Sequence, residues 1–462
     1  YISNKFMKTV SIIGQGFTGA IMSIVCARAI KKKKNLYKVY GLEKDNFEGK
    51  KIIKNLNKGI FPFNNNDLFL KSELKKVIKQ KNFIATTDKK CIKKSEIILI
   101  NINFDIVSSK TKKKDLINFK NILNYISNNI KKNSLIIIET TVPPGYCQNV
   151  IQPIINKAIA KRKFGPNSIL LSHSYERVTP GKNYLNSVIN APRVFAADSK
   201  LAQKKTRDFF DDIINVKKYP LTKLENTVAS ETSKIIENSY RAVNIAFIHE
   251  WTEFAEKAKI NLFEIIEAIK KRKTHSNIRY PGLGVGGYCL TKDPLYGAYS
   301  ARNVFKYNGI NFPFSTLAIK RNSKMPDHTI EVIKKNLRVI KNKTIVLAGI
   351  AYKSDVADTR QSPSKTIYEF LKKKKAKILC VDPLVRYWDE KKVNVQNITK
   401  KFKKIDAIIF AVPHQQFKNI SSKSFVNNKA FILDCNNCLS NKQRNEFKNK
   451  SFKVKIIGDG TF

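Results

Sequence analysis

Acidic residues are scarce in this chain of 462 residues: 36 Asp and Glu stand against 87 Lys and Arg, a formal net charge of +51. Such an excess suits polyanionic partners such as nucleic acid, a membrane surface or phosphorylated metabolites. The lysines, however, come in short scattered runs, Lys31 to Lys34 and Lys372 to Lys375 among them, placed where helices are expected to end. Scatter of that kind reads as solvated faces with no single binding stripe, and no nucleic-acid partner is expected. Long apolar runs are missing too. None reaches the roughly 18 residues that a membrane-crossing helix needs, so no membrane partner is expected. Val10 to Ala27 after Lys5 and Lys8 has the outline of a signal peptide, but Gln15 and the glycines Gly14, Gly16 and Gly19 interrupt it. Met7, downstream of Tyr1, is a candidate natural start. Seven cysteines are too few for a disulfide framework and odd in number, which points to a reduced, cytoplasmic setting. Cys435-x-x-Cys438 lacks a second pair or nearby histidines, so no metal site is expected.

Apolar residues, at 42%, suffice for sizeable cores, and the length implies two or three domains. Thr9 to Ile13 is a short β-branched run and predicts a buried strand, followed by a helix from Ala20 to about Ile30. Lys38 to Glu43 predicts a second strand, with further strands at Glu96 to Ile102 and Ser134 to Ile138. From about Leu201 the pattern changes to long helices, at Thr227 to Lys259 and Leu262 to Lys271, and then a loop from Lys273 to Gly287. Strand–helix alternation resumes at Thr344 to Ala348 and continues with Lys377 to Val381, Ala407 to Val412, Phe431 to Asp434 and Val454 to Ile457. The expected class is α/β: two Rossmann-like parallel-sheet domains joined by a central all-helical domain with a long helix. The expected boundaries are 1–203, 204–315 and 316–462.

Gly14-x-Gly16-x-x-Gly19 follows the first strand and opens the first helix. Glycines there permit a tight turn and the approach of backbone to a pyrophosphate, which the helix N-terminus attracts. Gly14, Gly16, Phe17, Thr18 and Gly19 are therefore candidate NAD-binding residues. Glu43, at the end of the second strand, is placed to accept from ribose hydroxyls and to repel a 2′-phosphate. That favours NAD over NADP, with Lys44 beside it pulling the other way. An ordinary surface acid fits Glu43 equally well.

Pro281-Gly282-Leu283-Gly284-Val285-Gly286-Gly287-Tyr288-Cys289 places four glycines within six positions. That density implies unusual backbone or backbone pressed against a ligand, and a thiol beside a cation, here Lys292, is a candidate nucleophile. Cys26, Cys91, Cys147 and Cys380 read instead as small buried hydrophobes. On the long helix Glu231, Lys234, Asn238 and Arg241 share one face. Periodicity alone favours a solvated face with one local ion pair, Glu231 to Lys234. The sharper alternative has Lys234 and Asn238 lining a cleft, with the lysine holding a developing oxyanion.

Taken together, these segments resemble the UDP-glucose/UDP-N-acetylhexosamine (nucleotide-sugar) 6-dehydrogenase family over nearly the whole chain. The likeness is carried by Ile13 to Gly19, Glu139-Thr140-Thr141-Val142-Pro143-Pro144-Gly145, Tyr175 to Gly181, Lys234 to Glu250, Gly284 to Pro294, and Ala351-Tyr352-Lys353 through Asp358 to Pro363. The resemblance implies a four-electron oxidation at C6 of a UDP-sugar with two NAD in succession. It implies that Cys289 attacks the aldehyde and passes through a thioester, and that Lys234 and Asp293 assist through ordered water. It further implies that Asn238 steadies the oxyanion, that Glu176 serves as acid/base, and that Thr141 positions water. Arg241, Gly286, Gly287, Lys353 and Arg360 become candidate substrate-binding residues, with Ser362-Pro363 as cap and first residue of a diphosphate-facing helix. Gly349-Ile350-Ala351 lacks the full glycine fingerprint, so a second NAD site is not expected there. The family implies a homodimer through the long helix. His173-Ser174-Tyr175-Glu176, Tyr288, and Asn101 to Asp105 depart from common family patterns and leave the sugar open. Two other readings compete: a two-electron 3-hydroxyacid-type dehydrogenase, which needs neither Cys289 nor a third domain, and a basic nucleic-acid-binding Rossmann protein.

Overall fold

Short runs of Ile, Leu and Val without polar alternation make strands covered on both faces. Ile97–Ile100 and Ser134–Ile138 are such runs, and every residue in them is buried. The computed structural model describes residues 7–107, 112–178, 180–397, 404–425 and 430–461; Tyr1, Lys5 and Thr179 of the segments named above lie outside these. The chain forms two compact units, residues 1–236 with 295–311, and residues 237–294 with 312–462. Among the described residues no helix is long and apolar enough to cross a membrane.

The first unit is built on eight strands: β1 (Lys8–Ile13), β2 (Tyr37–Leu42), β3 (Phe83–Thr86), β4 (Ile97–Ile100), β5 (Ser134–Ile138), β6 (Ile169–His173), β7 (Arg193–Ala197) and β8 (Leu221–Lys223). Their order in the sheet is β8-β7-β6-β5-β4-β1-β2-β3. All pairings are parallel except β6 with β7, which is antiparallel. The chain leaves β1 toward β2 and returns on the other side of β1 as β4. Such a reversal opens a crevice at the carboxyl ends of the strands, where doubly wound sheets hold their ligands.

The second unit repeats the plan with β9 (Thr344–Ala348), β10 (Lys377–Val381), β11 (Ala407–Phe410), β12 (Phe431–Asp434) and β13 (Lys453–Ile456), ordered β10-β9-β11-β12-β13 and parallel throughout. Its reversal lies between β9 and β11. The helices used below are α1 (Phe17–Ala27), α2 (Thr227–Ala258), α3 (Leu262–Lys270), α4 (Pro313–Leu337) and α5 (Ser364–Lys373). α2 starts where Asp198 accepts from the backbone N–H and hydroxyl of Thr227 and Asn226 accepts from the N–H of Ala229.

The strands and the two central helices read from the sequence are present to within a few residues. β3, β6, β7 and β8 were not foreseen, and neither was α4, whose pattern is interrupted by the buried Pro326. The Lys31 to Lys34 run does not end a helix. α1 stops at Ala27, and the lysines turn a two-stranded hairpin in which Ile30–Lys31 pairs with Lys34–Asn35. Lys32 and Lys33 at the tip have φ of 49° and 62°. Both positions suit Asn and Gly, which enter that region at little cost. Replacing Lys32-Lys33 by Asn-Gly is expected to stabilise the first unit by about 1 kcal/mol. A thermal midpoint that stays or falls contradicts this.

Candidate active site

The three glycines after β1 have different physical duties. Gly14 has φ of 87°, and a methyl there would sit 2.4 Å from the carbonyl oxygen of Asn101, at the end of β4. A methyl on Gly19 would fall 1.7 Å from the carbonyl oxygen of Gly14, so only glycine lets α1 lie this close to the turn. Nothing stands within 4 Å of the position where Gly16 would carry a methyl. Gly16, Phe17 and Thr18 are half-buried at the head of α1, which has no side-chain cap and no acid in its first turn. An uncapped helix start with open backbone beside it fits a dinucleotide pyrophosphate. Glu43 reaches the same turn: its carboxylate accepts from the backbone N–H of Gln15 at 2.6 Å and of Lys44 at 2.9 Å. The acid is thus anchored at the glycine turn and is no ordinary surface carboxylate.

The face of α2 read as solvated is largely buried. Glu231, Lys234 and Asn238 are 0%, 7% and 1% exposed, and of the four only Arg241 is exposed. In the first unit this face stitches the helix to the loops after β5 and β6. Glu231 accepts from the backbone N–H groups of Gly145 at 2.6 Å and Cys147 at 2.7 Å. Burial lifts its carboxyl to about 8, against the pull of these donors. Lys234 donates to the backbone carbonyl of Glu176 at 3.0 Å and lies over the Tyr175 ring. The Glu176 carboxylate curls back onto the N–H of Val178 at 2.5 Å. His173 meets the hydroxyl of Ser230 at 2.8 Å, and burial, with the charge of Lys234 second, lowers its pKa to about 3. It is a neutral structural histidine. Thr141 is half-buried, while Thr140 before it is bonded to the backbone of Ile100 and Ile102.

In the second unit the glycine loop lies against the turn that follows β9. A methyl on Gly286 would come 2.6 Å from the carbonyl oxygen of Gln361 and 2.7 Å from Tyr352. Gly287 has φ of 83°, and its methyl would meet the Tyr352 ring at 2.7 Å. The N–H of Gly287 donates to the carbonyl of Arg360 at 3.0 Å. At the end of this loop Cys289 is exposed, while the other six cysteines are buried. Cys435 and Cys438 are among the buried ones, and among the described residues no cluster of His, Cys, Asp and Glu is placed to hold a metal.

Behind the thiol, the carbonyl of Cys289 accepts from the N–H groups of Lys292 and Asp293. Asp293 is fully buried and takes the Asn238 amide at 2.8 Å and the Lys292 ammonium at 2.5 Å. Lys292 also lies 4.7 Å over the ring of Tyr288. Sequence reasoning noted this lysine only as a nearby cation, and its adjacency to Cys289 was the available signal for more. Arg360 grips Asp358 with two nitrogens and also lies over the Tyr288 ring, 5.5 Å from its centre. Burial works against its charge, but Asp358 holds its pKa above the usual range. Lys353 is pushed down by burial and by the neighbouring charge of Arg241. Burial, then Asp358 and Cys289, raise Tyr352 to about 12. The second unit therefore gathers Cys289, Arg241, Gly286, Gly287, Lys353 and Arg360. α5 begins at Ser364, one residue later than the sequence suggested, and Ser362 accepts from the N–H of Ser364 at 3.3 Å.

Comparison with known proteins accounts for this arrangement. Three domain models of the UDP-glucose/GDP-mannose dehydrogenase family match in order: the NAD binding domain at residues 8–214, the central domain at 228–324 and the UDP binding domain at 346–441. The UDP-N-acetyl-D-mannosamine dehydrogenase of Methanococcus aeolicus is 26% identical, covering 99% of this chain and 96% of its own. The UDP-glucose 6-dehydrogenase of Rickettsia prowazekii is 26% identical over 68% of this chain and 72% of its own. Among solved structures, a UDP-D-ManNAc dehydrogenase from Pyrococcus horikoshii shares the fold with a TM-score of 0.78 at 24% identity, covering 98% of this chain and 100% of that one. The chain belongs to the UDP-glucose/GDP-mannose dehydrogenase family: it is an NAD-dependent oxidoreductase acting on a CH–OH group of a UDP-sugar.

Because one thiol alone is exposed, brief iodoacetamide treatment of the native protein should modify one cysteine per chain, in the peptide carrying Cys289. Earlier modification of any of the six buried thiols contradicts the placement of this loop.

Proposed function

We propose that the chain oxidises C6 of UDP-N-acetyl-D-mannosamine to the uronic acid in the cytoplasm, supplying polysaccharide synthesis. The single observation that carries the four-electron chemistry is the exposed Cys289 at the end of a loop that only glycine can build. A two-electron dehydrogenase has no use for such a thiol. The choice of sugar is supported by the full-length likeness to enzymes named for that substrate.

NAD, when bound, supplies the hydride acceptor, one molecule for each of two oxidations. The remaining work belongs to the chain. Lys234 and Asp293 take the hydroxyl proton through water as the alcohol becomes an aldehyde. The Cys289 sulfur then bonds to the aldehyde carbon, and Lys234 and Asn238 donate to the oxyanion. Loss of the second hydride leaves a thioester on Cys289. Water adds to its carbonyl, the carbon–sulfur bond breaks, the thiolate is released, and Glu176 handles the protons of these later steps. Thr141 holds water near the reacting carbon. Gly14, Gly16, Phe17, Thr18, Gly19 and Glu43 hold the dinucleotide, and Arg241, Gly286, Gly287, Lys353 and Arg360 hold the UDP-sugar. The division into 1–203, 204–315 and 316–462 goes with these roles, and the limits of the three matched domains support it.

A homodimer belongs to the same proposal. On the second-unit part of α2, Tyr240, Phe247, Trp251 and Phe254 are about half exposed at helical spacing, and Phe314 and Leu317 on α4 are more exposed still. A contiguous apolar face of this kind is costly in water and is expected to be covered by a second copy.

Measured with absorbance of NADH on a panel of UDP-hexoses, UDP-N-acetyl-D-mannosamine should give the highest kcat/KM and two NADH per sugar; one NADH per sugar contradicts the thioester route. Cys289→Ser should stop acid formation while retaining some alcohol oxidation. In sedimentation the protein should run at twice the chain mass and Trp251→Glu as a monomer. A wild-type monomer sinks the dimer.

A further inference from the structure

We propose that Glu231 is a positioning residue for the first hydride transfer, pinning the turn after Thr141 to the helix that carries Lys234. The inference rests on the reading that Thr141 and Lys234 serve that step.

The turn closes on itself with one bond, from the N–H of Tyr146 to the carbonyl of Pro143 at 3.1 Å, and the Ser300 hydroxyl donates to the carbonyl of Pro144; its N–H groups at Gly145 and Cys147 look outside it for partners. Pro143 and Pro144 have no N–H to donate. The first donors after Val142 are therefore those of Gly145 onward, and Gly145 sits at φ of 81°. Glu231 takes two of them at once, with one oxygen on Gly145 and the other on Cys147. Three residues along α2, Lys234 takes the carbonyl of Glu176 at 3.0 Å. Residues three apart lie on the same helix face. One helical turn therefore sets both the loop beginning at Thr141 and the loop containing Glu176 in register with the Lys234 ammonium.

The chemistry of the group also argues for a role beyond capping. Serine or asparagine satisfies a single N–H without charge. Glu231 is fully buried, and no Lys or Arg among the described residues pairs with it. Burial without a cation is costly for the ionised form, in keeping with a carboxyl raised to about 8. What Glu231 provides that a single-oxygen cap does not is two oxygens on one side chain, one for each of two N–H groups on different residues. Displacement of a positioned group by about 1 Å can slow a reaction on the order of a hundredfold.

The test uses Glu231→Gln, which leaves one N–H facing an amide, and Glu231→Asp, which keeps the carboxyl group but is too short to reach both donors. NAD reduction is followed with UDP-N-acetyl-D-mannosamine and its 6,6-dideuterated form. Both variants should remain folded and lose about 10- to 100-fold in kcat, with KM for NAD within about threefold of wild type. The deuterium isotope effect on kcat should rise, because hydride transfer becomes slower relative to other steps. Cys289 alkylation should proceed at the wild-type rate. An isotope effect and kcat at wild-type values overturn the proposal. So does activity that falls only in step with the folded fraction, or failure of both variants to fold, since either makes Glu231 a folding determinant only. If the wild type forms no NADH from this sugar, the substrate reading fails, and the same comparison on whichever panel sugar is oxidised decides Glu231. If no UDP-hexose is oxidised, both readings fall together.

Discussion

A reactive thiol must be displayed to solvent by backbone that has no side chains of its own in the way. That constraint governs the loop from Pro281 to Cys289. Methyl groups at Gly286 and Gly287 would land 2.6 and 2.7 Å from their neighbours, so the loop lies flat on Tyr352 and Gln361 only because both positions are bare. The same contact brings the cations Arg360, Lys353 and Arg241 into the neighbourhood of Cys289. The sulfur and the groups suited to a diphosphate are thus held by one piece of packing within the second unit. Asn238, Asp293 and Lys292 fix the far end of the loop through buried charge-assisted bonds, which are the stronger kind.

The two sheets show how one fold position serves two ends. In the first, the acid at the end of the second strand, Glu43, holds a single N–H of the glycine turn and one of Lys44. In the second, the matching acid, Asp382, accepts from the N–H groups of Ile350, Ala351, Leu384 and Val385 and lies 3.2 Å from His414. Although burial works the other way, His414 and these donors hold its pKa below the usual carboxylate range. Its bonding capacity is used inside the protein, and no carboxylate remains for a ribose. This matches the missing glycine fingerprint at Gly349 to Ala351 and the family's assignment of this domain to UDP.

Much of the fold was legible because β-branched runs such as Ser134–Ile138, Thr344–Ala348 and Phe431–Asp434 can only be buried strands between helices. The four strands that escaped notice include β7 and β8 at the sheet edge, where Arg193 and Lys223 disguise the apolar pattern. α4 was hidden by Pro326, which a helix tolerates here in a buried setting. The Cys289 loop stood out through glycine density, a purely local signal. Glu231 did not, because its meaning depends on two N–H groups 84 and 86 residues away in sequence. Spacing along a helix tells which residues share a face. It does not tell what that face meets, and a buried anchor therefore looked like a surface ion pair.

The central claim is that the substrate becomes covalently attached to Cys289 on its way to the acid. Rapid acid quench during turnover, followed by mass measurement of the peptide from Arg279 to Lys292, tests this directly. A uronyl thioester adduct on Cys289 that forms and decays at the pace of catalysis is the expected result. Acid formed at full rate with that peptide never modified would contradict the account.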